Sequence, residues 1–477
     1  MNNLQKIRLL CLIGIIAFYY WLYFECNKNV AYLDKIGLAM LIHASALIYS
    51  LDYFKYLKIP IVTVLATLNI LGFVIAPANV DFSIFQLGEF KAEHYDLINL
   101  GYFIFYLFHF LFLNAQIRKI RFQMQQKSHL TTQKELFKQL ETLQNTTVIF
   151  FILSKILELP ISGLNEFIEL LTVGSLLIGF FKGVNSKLKN ALALVLLLYV
   201  VFQILTGGLI YPLIFFGIFV FVLIIFYGLT NFYAKIALFF GVIFVILFSI
   251  LFNPVKMEYR EMDLTGKSTY EKLLFIQSLI IKDKIDKNES IEDDRDFYWR
   301  LTYPMSAISM VQEKTPSKVP FWNGESYLNL FFKFIPRFIW KDKPKEEMGQ
   351  LFGHRYEILD RWNLTTSMNT PILAEAYMNF GLFGFFSIYL VMSYILARAF
   401  ISSNLKNQNE NSLKSLLSGL NVAISLTFLI QWESNFSMVF GKVIILFIVN
   451  LLVEWLAFRK QGNQSELYHL KLATSKK

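Results

Sequence analysis

The sequence predicts an all-α polytopic integral membrane protein, with about twelve transmembrane helices and a large loop between spans nine and ten. Three observations predict this fold. The 477 residues are 55% hydrophobic, and only 17% of them are charged, against about 25% in soluble domains. Apolar runs of bilayer length recur along most of the chain. A single long polar stretch, 254–371, interrupts them.

Each apolar run has the length that a helix needs to cross a hydrocarbon core of about 30 Å. The runs lie near 8–25, 33–52, 60–78, 97–116, 146–163, 167–182, 190–207, 209–229, 236–253, 372–397, 414–431 and 436–457. The first run follows a basic start, as a signal peptide would, but aromatic residues stand where a small-residue cleavage site is needed. We therefore predict that it is the first span.

The distribution of charge predicts the orientation. Connections on one predicted side, such as 117–143, are rich in Lys and Arg, whereas the short connections on the other side carry only Lys28, Lys35 and Lys91. The positive-inside rule then places both termini in the cytoplasm and loop 254–371 on the opposite face of the membrane. Since the net charge of +10 belongs to loops that face anionic lipid, no nucleic-acid partner is predicted.

This topology divides the chain into three parts. Residues 1–253 hold spans one to nine with the basic cytoplasmic loop 117–143, residues 254–371 form the large outer loop, and residues 372–477 hold the last three spans and a basic cytoplasmic tail. In loop 117–143, apolar residues at helical spacing follow a basic start. This pattern predicts an amphipathic helix that lies on the inner leaflet.

Polar groups within the predicted spans are few. Lys155 and Glu158 stand three residues apart on one face of the fifth span. This spacing fits either a local ion pair or a positive charge offered to a phosphate between helices. His43 and His109 stand among apolar residues, and buried packing with one hydrogen-bonded nitrogen is the favoured interpretation for each.

The segment Phe331–Tyr356, FFKFIPRFIWKDKPKEEMGQLFGHRY, concentrates cationic and aromatic residues in the large loop. Its apolar start fits the outer membrane interface, where aromatic side chains are favoured. Pro336 is expected to break the helix directly before Arg337. Arginine offers a planar fork that matches phosphate oxygens, and lysine offers a point charge. The composition fits either a site for a lipid-linked pyrophosphate substrate or a segment that binds lipid headgroups.

The first half of the large loop is charge-mixed. Asp294 and Asp296 form an Asp-x-Asp pair, which can hold a divalent metal. In a tract as charged as KDKIDKNESIEDDRD such a match arises easily, so no metal site is predicted. The helical spacing that follows places Arg300 next to an aromatic and apolar face.

Three stretches carry a resemblance to a known family. IPRFIWKDKP, then Gly-His-Arg-Tyr at 353–356, then TPILAEAYMNFGLFG resemble the Wzy-type O-antigen and oligosaccharide repeat-unit polymerases. The chain is more distantly similar to the O-antigen ligase superfamily. The motifs fall within residues 300–385, and the earlier spans are similar in topology alone. The spacing from Arg337 to Gly353 also resembles an Arg-to-Gly spacing in periplasmic loops of these polymerases.

The resemblance implies glycosyl transfer at the periplasmic face of a bacterial inner membrane, in lipopolysaccharide and polysaccharide biosynthesis. A growing glycan would leave its undecaprenyl diphosphate for a sugar hydroxyl on a second lipid-linked repeat unit. The resemblance implies neither a metal nor another cofactor, because the lipid diphosphate is itself the leaving group. Membrane lipids and a chain-length-determinant co-polymerase are the other implied partners.

Fixed cations would stabilise the charge that develops on the leaving diphosphate. Arg337 is expected to have the main part in this role. The residues predicted to bind the diphosphate and the glycan are Arg337, Arg300, Arg355, Arg361, Lys343 and Trp340.

A general base is expected to take the proton of the acceptor hydroxyl. His354 and Glu375 compete for this catalytic role, and Glu433 in the last outer loop is a third acid within reach. Glu375 begins the tenth span, with Asn379 one turn later on the same face. Each candidate has a structural alternative: Glu375 could anchor the loop through an arginine, and His354 could cap a helix.

Three other functions remain open. An O-antigen ligase-like transferase would use the same scaffold with another acceptor. A metal-dependent lipid-sugar transferase would resemble a pattern with an acidic pair in the first outer loop, where 26–34 offers only Asp34. A lipid-linked glycan flippase or other transporter would need a polar path across the bilayer, whereas most predicted spans lack charges.

Overall fold

The computed structural model of the protein describes helical segments and the connections between them. The described residues are 14, 32–57, 60–79, 91–124, 133–156, 164–206, 211–227, 255, 258–259, 267–286, 295–328, 330, 340, 347–364, 366–404, 420, 422–424 and 434–441. Among these residues the fold is all-helical, and no β-strand occurs. The all-helical part of the predicted fold class is therefore confirmed for the described part of the chain.

The helices are numbered in chain order. They are α1 (Leu33–Ser50), α2 (Ile61–Ile70), α3 (Ala76–Asn79), α4 (Ala92–Met124), α5 (Gln133–Ile156), α6 (Leu164–Phe181), α7 (Lys187–Thr206), α8 (Tyr211–Tyr227), α9 (Thr269–Asp286), α10 (Arg295–Lys314), α11 (Met348–Arg355) and α12 (Ile372–Asn404). A π-helical turn, Leu71–Ile75, joins α2 to α3, and a 3-10 turn covers Glu325–Tyr327.

Several of these helices are apolar and long enough to cross a membrane. Within the described residues they are Leu33–Phe54, Ile61–Ala78, Glu93–Arg118 and Ile372–Ala397. They coincide with predicted spans two, three, four and ten. The total of twelve spans and the periplasmic placement of the large loop stay predictions, and predicted span 236–253 lies outside the described residues.

The basic segment 117–143 contains the end of α4, which continues to Met124, and the start of α5 at Gln133. The spanning helix continues because residues 117–124 contain neither glycine nor proline to end it. The predicted position of an amphipathic helix on the inner leaflet stays a prediction.

The chain divides into two compact units. Unit 1 comprises Met1–Ser128, Asp293–Gln408 and Leu429–Lys442, and unit 2 comprises His129–Glu292, Asn409–Phe428 and Val443–Lys477. Unit 1 contains α1 to α4 and α10 to α12. Unit 2 contains α5 to α9.

Within unit 1, α4 and α12 pack along each other. Gly101 permits their close approach, because a Cβ atom there would lie 2.2 Å from Cε2 of Tyr389. The Tyr389 ring is buried and meets the Tyr102 ring edge to face, with 5.3 Å between centroids. A large aromatic ring opposite a glycine thus sets the spacing of the two longest helices of this unit.

Within unit 2, polar contacts join α5 to α6. Nζ of Lys155 lies 2.5 Å from Oε1 of Glu169 and over the rings of Phe151 and Tyr199. Lys155 therefore has a carboxylate partner on the next helix, while Glu158, the partner expected from helical spacing, lies outside the described residues. With its charge compensated by Glu169, Lys155 serves to join two helices.

Candidate active site

Helix α12 is broken shortly after its first turns. The backbone leaves helical geometry at Phe380 (φ −137°, ψ 18°) and Gly381 (φ 58°, ψ −143°). Glycine adopts the Gly381 conformation without the strain that a side chain would add. A Cβ atom on Gly381 would also lie 3.1 Å from the Phe321 ring. The break therefore depends on this glycine.

A capping segment, residues 321–327, closes the break. The backbone N–H groups of Trp322 and Asn323 donate to the carbonyls of Met378 and Asn379 at 3.0 and 3.2 Å. A break in a helix frees carbonyls in the preceding turn, and buried carbonyls need a donor. The capping segment supplies these donors and is thereby fixed against the first turns of α12.

Asn379 holds the capping segment with both ends of its side chain. Its Oδ1 accepts a hydrogen bond from the Gly324 N–H at 2.8 Å, and its Nδ2 donates to Oγ of Ser326 at 2.7 Å. Nδ2 also donates to the carbonyl of Glu375 at 2.7 Å. Since Asn379 is fully buried, these bonds fix its orientation and that of the turn that carries Glu375.

Glu375 is fully buried in the first turn of α12. Its Oε2 accepts a hydrogen bond from the N–H of Phe436 at 2.5 Å. Phe436 begins a short helical stretch that is capped by Asn435, because Oδ1 of Asn435 accepts the Met438 N–H at 2.8 Å. Burial, together with the nearby Glu375 carboxylate, raises the pKa of Tyr327 well above its usual range. We call Glu375, Asn379, Tyr327 and Phe436 the Glu375 cluster.

The Gly-His-Arg-Tyr motif forms the end of α11, and most of it has structural partners. A Cβ atom on Gly353 would lie 2.5 Å from Cδ1 of Leu359, so glycine permits close packing of the following turn. Tyr356 is buried, and its hydroxyl lies 2.6 Å from Oγ1 of Thr315 after α10. Burial raises the pKa of Tyr356 to about 12, so its hydroxyl remains protonated and docks α11 on α10.

Arg355 joins α11 to the capping segment. Its Nη1 and Nη2 donate to the two carboxylate oxygens of Glu325, both at 2.9 Å. The guanidinium also lies 4.1 Å from the ring centroid of Trp322. The arginine fork expected to bind diphosphate is thus engaged by a carboxylate, and a diphosphate would have to displace Glu325 from it.

The two candidate bases lie in different surroundings. Glu375 is enclosed within its cluster, whereas His354 is half-buried in the last turn of α11. Among the described residues no hydrogen bond links the His354 ring to Glu375 or Arg355. The carbonyl of His354 accepts the Glu357 N–H at 3.2 Å, so its backbone takes part in ending α11.

The remaining predicted residues are spread along the loop. Arg361 is exposed on a turn beside Trp362, whose side chain is 93% exposed. Trp340 is half-buried. The predicted residues outside the described part of the chain are Arg337, Lys343, Glu433, Asp294 and the side chain of Arg300.

The chemistry available at the Glu375 cluster is that of proton transfer and hydrogen bonding. A carboxylate, a phenol and an amide lie together at the beginning of a helix that is apolar and long enough to cross a membrane. No three His, Cys, Asp or Glu side chains are grouped to hold a metal ion in the part of the chain that the structure describes. Sugar hydroxyls are natural partners for such groups, because they both donate and accept hydrogen bonds.

Trp322, Glu325 and Tyr327 contribute to the site and were missed by sequence reasoning. Two local signals point to them. Asn323 and Gly324 form an Asn-Gly turn in which both residues have positive φ, and such a dipeptide marks a turn. Gly381 inside a predicted span marks a place where another backbone can approach.

A sequence-family model matches residues 63–461, which include helices of both units. The chain belongs to the family described as domain of unknown function (DUF8712). No curated protein and no solved structure matches it. Membership of DUF8712 assigns no activity, so a function has to be argued from the site itself.

Proposed function

We propose that this DUF8712 protein is a glycosyltransferase that polymerises undecaprenyl-diphosphate-linked oligosaccharide repeat units at the periplasmic face of the bacterial inner membrane. The observation that carries the proposal is the Glu375 cluster, in which a buried carboxylate lies in the first turn of a membrane-crossing helix. At that end of a span a lipid-linked diphosphate and its sugar meet the protein together. The base that takes the proton of the acceptor hydroxyl is therefore needed at this end of the helix and not at the midplane of the membrane.

The reaction exchanges one glycosidic bond for another. The acceptor hydroxyl oxygen forms a bond to the anomeric carbon of the donor glycan, while the bond from that carbon to the diphosphate oxygen breaks. The bonding electrons leave with undecaprenyl diphosphate, and the hydroxyl proton passes to the base. We assign the base to Glu375.

Glu375 is favoured over His354 because its surroundings are fixed. A carboxylate that acts as a base has to be held within a fraction of an ångström of a productive position. The Phe436 amide binds Oε2, and the bonds of Asn379 fix the turn that carries Glu375. His354 has no comparable set of hydrogen bonds among the described residues.

Charge on the departing diphosphate needs cations from the loop. Arg337 and Lys343 are proposed for this role from the sequence, together with Arg361, whose exposed position leaves its guanidinium accessible to a lipid headgroup. Trp362 beside it offers an exposed ring on which a sugar can stack. Arg355 is assigned to positioning, since its pair with Glu325 holds the capping segment.

The test is reconstitution of the purified full-length protein into liposomes with one defined undecaprenyl-diphosphate-linked repeat unit. A polymerase produces a ladder of longer glycans that remain on the lipid carrier. A ligase forms a product only when a lipid A-core acceptor is added. A flippase changes the side on which the glycan is exposed and forms no new glycosidic bond. Either of the last two results would overturn the polymerase proposal.

A further inference from the structure

Unit 1 contains a second set of buried polar groups, separate from the Glu375 cluster. Asn99, Tyr102, Tyr106 and His109 recur every three or four residues of α4, and each is at most 4% exposed. This spacing places them on one face of the helix. From Asp96 to Asn114 the helix axis extends about 27 Å, close to the roughly 30 Å thickness of a hydrocarbon core.

His43 of α1 lies at the middle of this face. Its Nδ1 is 3.0 Å from the hydroxyl of Tyr106, which also accepts a hydrogen bond from Nδ2 of Asn69 at 2.9 Å. Its Nε2 has no hydrogen-bond partner among the described residues, although the ring is fully buried. In either tautomer, Nε2 is then a donor without an acceptor or an acceptor without a donor.

Two more buried polar atoms share that condition, one on this face of α4 and one on α12 where it packs against α4. The hydroxyl of Tyr389 and Oδ1 of Asn99 have no partner among the described residues. The Tyr102 ring contacts both His43 and Tyr389, with centroids 4.8 and 5.3 Å apart. Buried polar groups are nearly always hydrogen-bonded, so Nε2 of His43 and the Tyr389 hydroxyl, whose rings both contact Tyr102, indicate that a polar molecule such as water binds beside this ring.

The backbone near His43 is irregular as well. The π-helical turn Leu71–Ile75 places Phe73 against the His43 ring, with centroids 6.0 Å apart. The hydroxyl of Tyr95 donates to the carbonyl of Phe73. Turns of π-helix inside α-helices occur frequently at functional sites, and this one borders the unpartnered nitrogen.

Towards the C-terminal end of α4, His109 is the next buried polar residue on this face. The carbonyl of Ser393 is an acceptor, so Nδ1 of His109 donates to it at 3.2 Å, and Nε2 of the neutral ring is an acceptor. His109 lines a small cavity of about 10 Å³ with Ser50 and Tyr53, which is the room that roughly one water needs. The Tyr53 hydroxyl then donates to Oδ1 of Asn114 at 2.9 Å.

We propose that these groups conduct protons across unit 1. We name Asn99, Tyr102, Tyr106 and His109 of α4, with His43 and Tyr389, the polar file. Steps of three or four residues are about 4.5 to 6 Å along the helix, a distance that two hydrogen bonds through one bridging water span. His43 takes a proton on one ring nitrogen and releases the proton of the other, so one proton crosses and the ring is left in its other tautomer. A flip of the ring restores the first tautomer before the next proton crosses.

The surroundings of His43 suit this role. The titratable groups that face it are the phenols of Tyr102 and Tyr106 and, beyond Tyr102, that of Tyr389. No charged side chain of the described residues acts on the ring. A neutral imidazole between phenols can pass a proton without a fixed charge that would trap it.

The proposal is tested by proton flux into liposomes that contain the purified full-length protein, a pH-sensitive dye and no glycan substrate. A potassium diffusion potential set by valinomycin drives the protons inward. The wild-type protein should acidify the lumen several times faster than protein-free liposomes, and His43→Leu should return the rate to that of protein-free liposomes. Tyr389→Phe should lower the rate while its ring still fills the space against Gly101.

A matched control is Tyr394→Phe, which changes a half-exposed tyrosine five residues later on α12 and should conduct like the wild type. A wild-type rate no greater than that of protein-free liposomes overturns the proposal, as does an unchanged rate in His43→Leu or in Tyr389→Phe. Because the assay contains no glycan, failure of glycan polymerisation leaves this result unaffected. The two proposals can therefore fail separately.

Discussion

Two buried glutamates on apolar helices, one in each unit, are held by different kinds of partner. Glu169 in unit 2 is 8% exposed and lies 2.5 Å from the ammonium of Lys155. Glu375 in unit 1 is fully buried and accepts the backbone N–H of Phe436 at 2.5 Å. A lysine compensates the charge of Glu169, and a backbone amide orients the carboxylate of Glu375.

The residues packed around the two glutamates differ as well. Lys155 rests over the rings of Phe151 and Tyr199, so the unit 2 pair is packed as part of the interface between helices. Glu375 lies with Tyr327 and Asn379 beside a helix break. The two sites show that burial of a carboxylate on an apolar helix does not by itself indicate function.

The largest expected effect is on catalysis at Glu375. Glu375→Gln should lower the rate of glycan extension by about 100-fold or more, since a general base contributes roughly 10²- to 10⁴-fold. Glutamine keeps the shape and can accept the Phe436 N–H, but it cannot take the acceptor proton. The measurement is the initial rate of extension at equal protein in liposomes. Glu313→Gln, at an exposed carboxylate of α10, is the control and should retain the wild-type rate.

The break in α12 is expected to have the largest effect on stability. Gly381→Ala should lower the free energy of unfolding by about 2–3 kcal/mol, because a side chain in that conformation is strained and would press on Phe321. Thermal unfolding in detergent measures the loss. Gly217→Ala in α8 is the matched control: nothing lies within 4 Å of its Cβ position, and it should be neutral or stabilising by up to about 1 kcal/mol. Equal effects of the two substitutions would contradict the role given to the break.

Loss of the ion pair between Lys155 and Glu169 in unit 2 should lower the stability of the protein and leave the rate of glycan extension unchanged. Glu169→Gln should lower the free energy of unfolding by about 1–3 kcal/mol, because it leaves Lys155 without a carboxylate in a partly buried site. Extension per folded molecule should equal that of the wild type. Replacing both partners, as Lys155→Met with Glu169→Leu, should recover most of the loss. A loss of extension in folded Glu169→Gln protein would remove the distinction between the two glutamates.

The smallest expected effect concerns the Arg355–Glu325 pair. Their side chains are 38% and 50% exposed, and exposed pairs contribute about 1 kcal/mol or less. Arg355→Gln should lower the free energy of unfolding by about 1 kcal/mol. Glu325→Gln should cost less, because Arg355 keeps its stacking on Trp322. Equal losses, measured by thermal unfolding of the two variants, would mean that the stacking contributes nothing.

Sequence patterns predicted spans two, three, four and ten closely, for physical reasons. Long apolar runs have to be helical in a bilayer, since backbone polar groups there need internal partners. Prolines also mark the starts: Pro60 directly precedes α2 and Pro371 directly precedes α12, where a proline sacrifices no helical hydrogen bond. Glu375 was accordingly expected at the start of a span, and it lies in the first turn of α12.

Contacts between residues distant in the sequence could not be predicted in the same way. Helical spacing suggested Glu158 for Lys155, but the structure pairs it with Glu169 on the next helix. The pair Arg355–Glu325 and the bond from Phe436 to Glu375 likewise join parts of the chain that no local pattern relates. The Asn-Gly turn at 323–324 signalled a turn, yet nothing in the sequence indicated that it would close a break in α12.

The central claim is that Glu375 takes part in glycan extension while Glu169 only holds helices together. The most direct measurement compares Glu375→Gln and Glu169→Gln in parallel liposome preparations, with the extension rate divided by the folded fraction. We expect Glu375→Gln to unfold at the wild-type temperature without extending glycan, and Glu169→Gln to unfold at a lower temperature with a wild-type rate. Wild-type extension by folded Glu375→Gln protein would contradict the central claim.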